Sequence, residues 1–178
     1  SNNNKTPSAF LKYDISLIQS VLSPDAQNLL IANATQTGVK RIYPIISDNV
    51  SCKTNNDKIT KWQKIVSENF KQCERADMAY IQPISKLKEV LGKFKKENVL
   101  IFSEKDINIS LNDCIKTLDK TSEIAIVIGP EGGFSDKEFE YFIKEDFKLI
   151  SLGNMIYKAP NAVVAGIFNI VSRLDNER

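Results

Sequence analysis

The sequence predicts an α/β domain with a mostly parallel sheet and helices on both of its faces. Three features carry that expectation. Short apolar runs alternate with segments of helical period along the chain. One run, residues 123–128, is apolar throughout its middle, as a strand buried on both faces must be. The helix after it opens on a full set of start signals: Ser135 and Glu138 as a capping box, Phe134 and Phe139 at staple spacing.

The elements follow in order. Residues 16–22 read as a strand. Ser23, Pro24 and Asp25 then supply an N-cap, a first-position proline and a first-turn acid. That helix should run to Thr37 and stop at Gly38. Residues 39–46 form a short apolar strand, and 47–57 a polar loop. A helix over 58–74 places Ile59, Trp62, Val66, Phe70 and Cys73 on one face. Residues 80–84 read as a short extended piece, and Ser85 as the cap of a short helix carrying Leu87, Val90 and Leu91. A strand over 98–103, a short helix over 111–118, the apolar strand over 123–128, the capped helix from Asp136 and a strand over 147–152 come next. Pro160 opens a last helix with Val163, Ile167, Ile170 and Val171 on one side.

Composition narrows the chemistry. The 178 residues contain no histidine, so His-based triads and His-ligated metals are excluded within them. Proton transfer must use Asp, Glu, Lys, Tyr, Cys or water. The cysteines, Cys52, Cys73 and Cys114, form no CxxC pair, and neither zinc nor a disulfide framework is expected. No apolar run approaches the roughly 18–20 residues of a membrane span, and the polar first ten residues do not read as a signal peptide. The chain therefore reads as cytoplasmic, without membrane or metal. A net charge of +2 permits an RNA partner without demanding one.

Ligands of such sheets bind beyond the carboxyl ends of the strands, and three segments near such ends stand out. Gly129, Pro130, Glu131, Gly132, Gly133 and Phe134 join the apolar strand to the capped helix. The glycines allow close approach of main chain to a ligand, and the helix start offers free N–H groups; a tight turn without a ligand is the plainer alternative. The segment is neither a Walker loop nor GxGxxG, which disfavours a nucleoside triphosphate site and a dinucleotide enzyme. Leu152 and Gly153 begin a second connection, in which Met155, Ile156 and Tyr157 are apolar where a solvated turn would be polar. Gln72, Cys73, Glu74 and Arg75 close the long helix, where Gln and Arg are either solvated or functional.

Together these segments resemble the RsmE family, the 16S ribosomal RNA uridine-N3 methyltransferases of the SPOUT superfamily. Ile128 to Ser135, with Glu138 beyond, looks like the family's cofactor loop. Leu152, Gly153, Ile156 and Ala162 resemble its second signature, and Gln72 and Arg75 the ends of a third. Ala34, Thr35, Gln36, Thr37, Gly38, Val39, Arg41, Ile42 and Pro44 are similar to its first helix-strand unit. Met155, Tyr157, Lys158, Pro160 and Asn161 stand where the second signature usually has Arg, Leu, Arg, an acid and Thr, and Gln36 replaces an acid.

The resemblance implies a SPOUT-type knotted fold over residues 15–178, with a deep C-terminal trefoil knot. Residues 1–14 would be a flexible extension, leaving no room for the family's N-terminal PUA-like barrel. It implies S-adenosyl-L-methionine as cofactor, with 16S ribosomal RNA of the small subunit as substrate and a homodimer as the assembly. By analogy Leu100, Ile101, Phe102, Ile128, Gly129, Pro130, Glu131, Gly132, Gly133, Leu152, Gly153, Met155, Ile156 and Tyr157 would line the cofactor cleft. The last helix, through Val163, Val164, Ile167 and Phe168, would form the dimer face. Uracil N3 must lose its proton to attack a methyl, and a cation on a uracil carbonyl would stabilise the developing anion. Arg75 is the first candidate, Lys158 the second; Glu131 would orient the cofactor, accept the proton or brace the loop. Lys53, Lys58, Lys61 and Lys64 are candidates for phosphate contact, or a merely solvated face. Another RNA target on the same fold, or a knotted RNA-binding module without catalysis, are the competing readings.

Overall fold

The computed structural model describes residues 12–71, 77–152 and 159–176. Seven described strands form one parallel sheet in the order β3-β2-β1-β6-β5-β7, with β4 also paired to β2. In chain order the elements are β1 (Ile15–Ser20), α1 (Pro24–Thr37), β2 (Arg41–Ile46), α2 (Lys58–Phe70), β3 (Tyr80–Ile81), β4 (Ser85–Lys86), α3 (Leu87–Leu91), β5 (Val99–Phe102), α4 (Leu111–Lys116), β6 (Ile124–Ile128), α5 (Asp136–Lys144), β7 (Lys148–Ile150) and α6 (Ala159–Asn176).

The double cover expected from the sequence is visible along β6. Ile124, Ile126 and Ile128 point into a core shared with α1 and α6, while Ala125 and Val127 point into a second core. That second core is aromatic: Phe134, Phe139, Phe142 and Phe147 meet edge to face, Phe134 and Phe142 with ring centroids 5.1 Å apart. Alternate residues of a strand face opposite sides, so a strand covered twice has no polar face left.

The outer edge is split for a backbone reason. Ile42 accepts from Gln82 N on the side of β3, and by the alternation of a parallel strand Pro44 faces the same side. Pro44 has no N–H to offer there, and the edge strand breaks between β3 and β4, around Pro83. The extended piece expected over 80–84 is therefore only two residues of strand, and Ser85 sits in β4 rather than capping α3. Its hydroxyl donates to the Pro83 carbonyl instead.

Other expectations shift by small amounts. α1 ends at Gly38 in the left-handed region, as its sequence asks. Ser23, however, makes no side-chain cap; its hydroxyl is engaged elsewhere. Tyr13 and Asp14, expected in the flexible extension, pack onto the domain: the Tyr13 hydroxyl donates to the Leu174 carbonyl, and Asp14 O accepts from Ile124 N. In α6, Val163 and Ile167 are buried in the core, so the dimer face expected of them reduces to Phe168, 66% exposed, and half-buried Val164. Gly166 on the same helix is forced by contact, since a β-carbon there would overlap the Phe102 ring. The expected knot must be traced through residues 153–158, which lie outside the described residues.

Candidate functional site

All strands of the sheet run the same way, so their carboxyl ends lie along one edge. The register sets three of those ends side by side: Ile101 pairs with Val127, and Phe102 with Ile150. The glycine-bearing loop leaves β6 at this edge, between β1 and β5.

The loop is built from a tight turn and a capped helix. Gly133 N donates to Pro130 O at 2.8 Å, and Gly133 has φ 76°, a conformation that disfavours any side chain. Ser135 Oγ accepts from Glu138 N while Glu138 Oε1 accepts from Ser135 N, so both halves of the capping box form. Phe134 and Phe139 complete the staple.

Side chains from two neighbouring loops then hold it. Glu131 Oε1 accepts from Ser23 Oγ at 2.9 Å and Ser23 N at 3.3 Å. Asn49 Nδ2 donates to Gly133 O at 3.0 Å, Asp48 N donates to Glu138 Oε2, and Ser135 Oγ also donates to the Asp48 carboxylate. From the loop after β5, Lys105 Nζ pairs with Asp136 at 2.9 Å, and its hydrogen bond and cation hold that carboxyl below the usual carboxylate range.

Beneath the loop a buried polar pair joins β1 to α1. Gln19, paired in register with Ile128, exchanges side-chain hydrogen bonds with Gln27 of α1, and Gln27 Oε1 also accepts from Leu22 N. Both glutamines are buried. A buried amide without partners is costly, so this pair fixes α1 against the end of β1.

The expected site residues fall into three groups. Leu100 and Ile101 are fully buried on opposite faces of the sheet, and Ile128 and Pro130 are buried too, so only their main chain can meet a ligand. Gly129, Gly132, Gly133 and Glu131 are partly or fully exposed at the edge. A β-carbon on Gly129 would press on the Phe134 ring, whereas one on Gly133 would touch nothing within 4 Å. Phe102 turns its ring onto Gly166, and half-buried Leu152 lines a cleft of about 310 Å³ with Ser110, Asn112, Ser151 and Arg173. That cleft opens at the end of β7, and among the described residues Leu152 is the expected cofactor residue that borders it. Arg75, Lys158, Gly153, Met155, Ile156 and Tyr157 lie outside the described residues, as does Gln72. Among the described residues no group of three or more His, Cys, Asp and Glu gathers at metal spacing, and no helix is long and apolar enough to cross a membrane.

Sequence reasoning missed Ser23 as a partner of Glu131, and Asp48, Asn49 and Lys105 altogether. The available signal was Gln19, a polar side chain in a strand apolar enough to be buried, which had to have a partner nearby.

Residues 10–170 match the family model of the RNA methyltransferase domain. The chain belongs to this family. It is 31% identical over 172 residues to the Ribosomal RNA small subunit methyltransferase E of Aquifex aeolicus, covering 92% of this chain and 69% of that one. The Rickettsia conorii protein of the same name is 30% identical over 165 residues. This chain spans 65% of that relative's length. Among solved structures, a Ribosomal RNA small subunit methyltransferase E from Neisseria gonorrhoeae bound to S-adenosyl methionine superposes with TM-score 0.81 at 26% identity, over 96% of this chain and 69% of the other. An RNA methyltransferase domain accounts for a glycine loop at the open edge of a parallel sheet, where the chain has neither a Walker loop nor a GxGxxG motif.

Proposed function

We propose that this chain is the catalytic domain of a cytoplasmic methyltransferase that uses S-adenosyl-L-methionine to methylate N3 of a uridine in 16S ribosomal RNA of the small subunit. The observation that carries the reading is the meeting of three strand ends, with the glycine loop leaving β6 beside the central β5, in a chain of this family. The residues present fit the cofactor: Gly133 offers main chain with open space where a side chain would stand, and the neighbouring strand ends have their side chains committed to the cores. Main-chain groups of residues 100–103, 128–133 and 152–157 would hold the adenosyl group, within the knotted threading that the family resemblance implies.

The cofactor supplies an electrophilic methyl group on a sulfonium. The chain's contribution is alignment of the base with that methyl and stabilisation of charge at N3. Arg75 is our first choice for the cation on a uracil carbonyl and Lys158 the second. Glu131 has one oxygen occupied by Ser23, which favours bracing of the loop over proton transfer. Phe168, the most exposed large apolar side chain of the described residues, is the candidate centre of a homodimer contact through α6.

The test is calorimetric titration with S-adenosyl-L-methionine, followed by methyl transfer to small-subunit particles and to bulk transfer RNA. We expect saturable binding, and transfer to the particles alone. Gly132→Val, at a position where a β-carbon meets only Asn49 at 3.7 Å, should keep the fold and lose the binding. Unchanged affinity in that variant would remove the loop from the cofactor site.

A further inference from the structure

A second, smaller opening lies beside the glycine loop. Leu22 and Pro24, which flank the Ser23 held by Glu131, line a cavity of about 50 Å³ together with Gln27, Thr54, Trp62 and three lysines, Lys53, Lys58 and Lys61. Among the described residues no acidic side chain lines it. Asp25 and Asp57 stand nearby in the chain, at the starts of α1 and α2, but do not border the opening.

Its electrostatics are one-sided. The starts of α1 and α2 both border the cavity, through Pro24 and Lys58, and neither carries a side-chain cap. Both helix starts contribute a partial positive charge, although Lys58 N and Ile59 N of α2 already donate to Asn55 O and Asn56 O and Pro24 has no N–H. α2 has no acid in its first turn. Lys53, Lys58 and Lys61 are exposed and form no ion pair among the described residues. Lysines at a helix start are unfavourable unless an anion joins them. Independently, the Thr54 hydroxyl oxygen is buried in the wall and lacks a hydrogen-bond partner, a state that costs free energy until a ligand or water answers it. Gln27, buried in the same wall, is pinned by Gln19, so the floor is rigid.

We propose that this pocket seats one phosphodiester of the RNA strand, next to the nucleotide that is methylated. Tetrahedral phosphate oxygens suit ammonium groups, a hydroxyl donor and the positive ends of helices alike. The inference rests on the RNA methyltransferase reading above and adds where the strand is gripped: across the Ser23–Glu131 contact from the glycine loop.

The test uses the full 178-residue chain and transcribed small-subunit ribosomal RNA, with affinity followed from about 50 to 200 mM salt. Lys58→Gln combined with Lys61→Gln should weaken binding about tenfold near physiological salt and flatten the slope of log affinity against log salt by about 1.5. Thr54→Val should weaken binding by about threefold with the slope kept, as expected for a lost neutral hydrogen bond. Lys144→Gln, an exposed lysine in the last turn of α5, should leave both unchanged. Cofactor affinity should be equal in every variant. A double variant with the wild-type slope would overturn the seat while cofactor binding kept the methyltransferase reading standing. A wild-type chain that binds no cofactor would overturn both. Saturation by inorganic phosphate at micromolar concentration, without competition against RNA, would assign the pocket to a free anion and overturn the RNA source.

Discussion

Two helix starts at the same edge of the sheet are built in opposite ways. α5 opens with Ser135 and Glu138 in a reciprocal cap, Asp136 in its first turn and an aromatic staple beneath. α2 opens with Asp57 capping nothing, no first-turn acid, and Lys58 and Lys61 instead. α5 answers its own dipole and its own N–H groups, so its start is a rigid strut for the loop in front of it. α2 satisfies its first N–H groups only through the preceding turn, Lys58 N on Asn55 O and Ile59 N on Asn56 O, and sets lysines against its dipole, which costs stability in the free chain and gains affinity for an anion. The difference teaches where this domain invests in order and where it keeps charge in reserve.

Four substitutions test that contrast, in descending size. Phe142→Ala removes the fully buried ring at the centre of the aromatic core under α5. It should cost ~3–5 kcal/mol, read as a lower urea midpoint. A loss well under that would mean that α5 is held mainly by its cap. Ser135→Ala removes the cap and the bond to Asp48, and should cost ~1–2 kcal/mol in the same assay. A neutral result would make the strut reading wrong. Replacing Lys58 or Lys61 by Glu should act in the other direction, raising stability of the RNA-free chain by ~0.3 kcal/mol each while weakening RNA binding. Destabilisation by these changes would show that α2 is not strained at its start.

The smallest effect is a pH dependence. Asp136 has its folded pKa lowered by the Lys105 hydrogen bond and charge. Its contribution is present above the unfolded value near ~4 and is lost as pH falls through the lower folded value. Asp136→Asn should therefore lose this small contribution at neutral pH and converge with the parent chain as pH falls well below about 4. A difference that persists undiminished well below pH 4 would indicate that the charge of Asp136 is not what matters, and that Lys105 acts through packing on Phe139, which its ammonium overlies at 4.3 Å.

Much of the fold was legible from residues close in sequence. The Gly38 stop, the Ser135 box, the Phe134–Phe139 staple and the period of β6 involve partners within a few residues, and the structure has each of them. Misreadings came where a side chain had a distant option. Ser23 has the right type and place for a cap, yet Glu131 draws its hydroxyl away. Val163 and Ile167 looked like an interface stripe, but the same apolar stripe serves a helix packed in its own core.

By itself the sequence determined the class of fold, the two-sided burial of the strands and the glycine loop as the centre of interest, because period and capping are local properties of a chain. Only the tertiary structure decided that Glu131 would meet Ser23, 108 residues away, that Asp48 and Asn49 would grip the loop, and that two uncapped helices would open on one basic pocket. Those contacts depend on β6 lying beside β1 and not beside its neighbours in sequence alone, and strand order is a long-range choice that no short stretch of residues encodes.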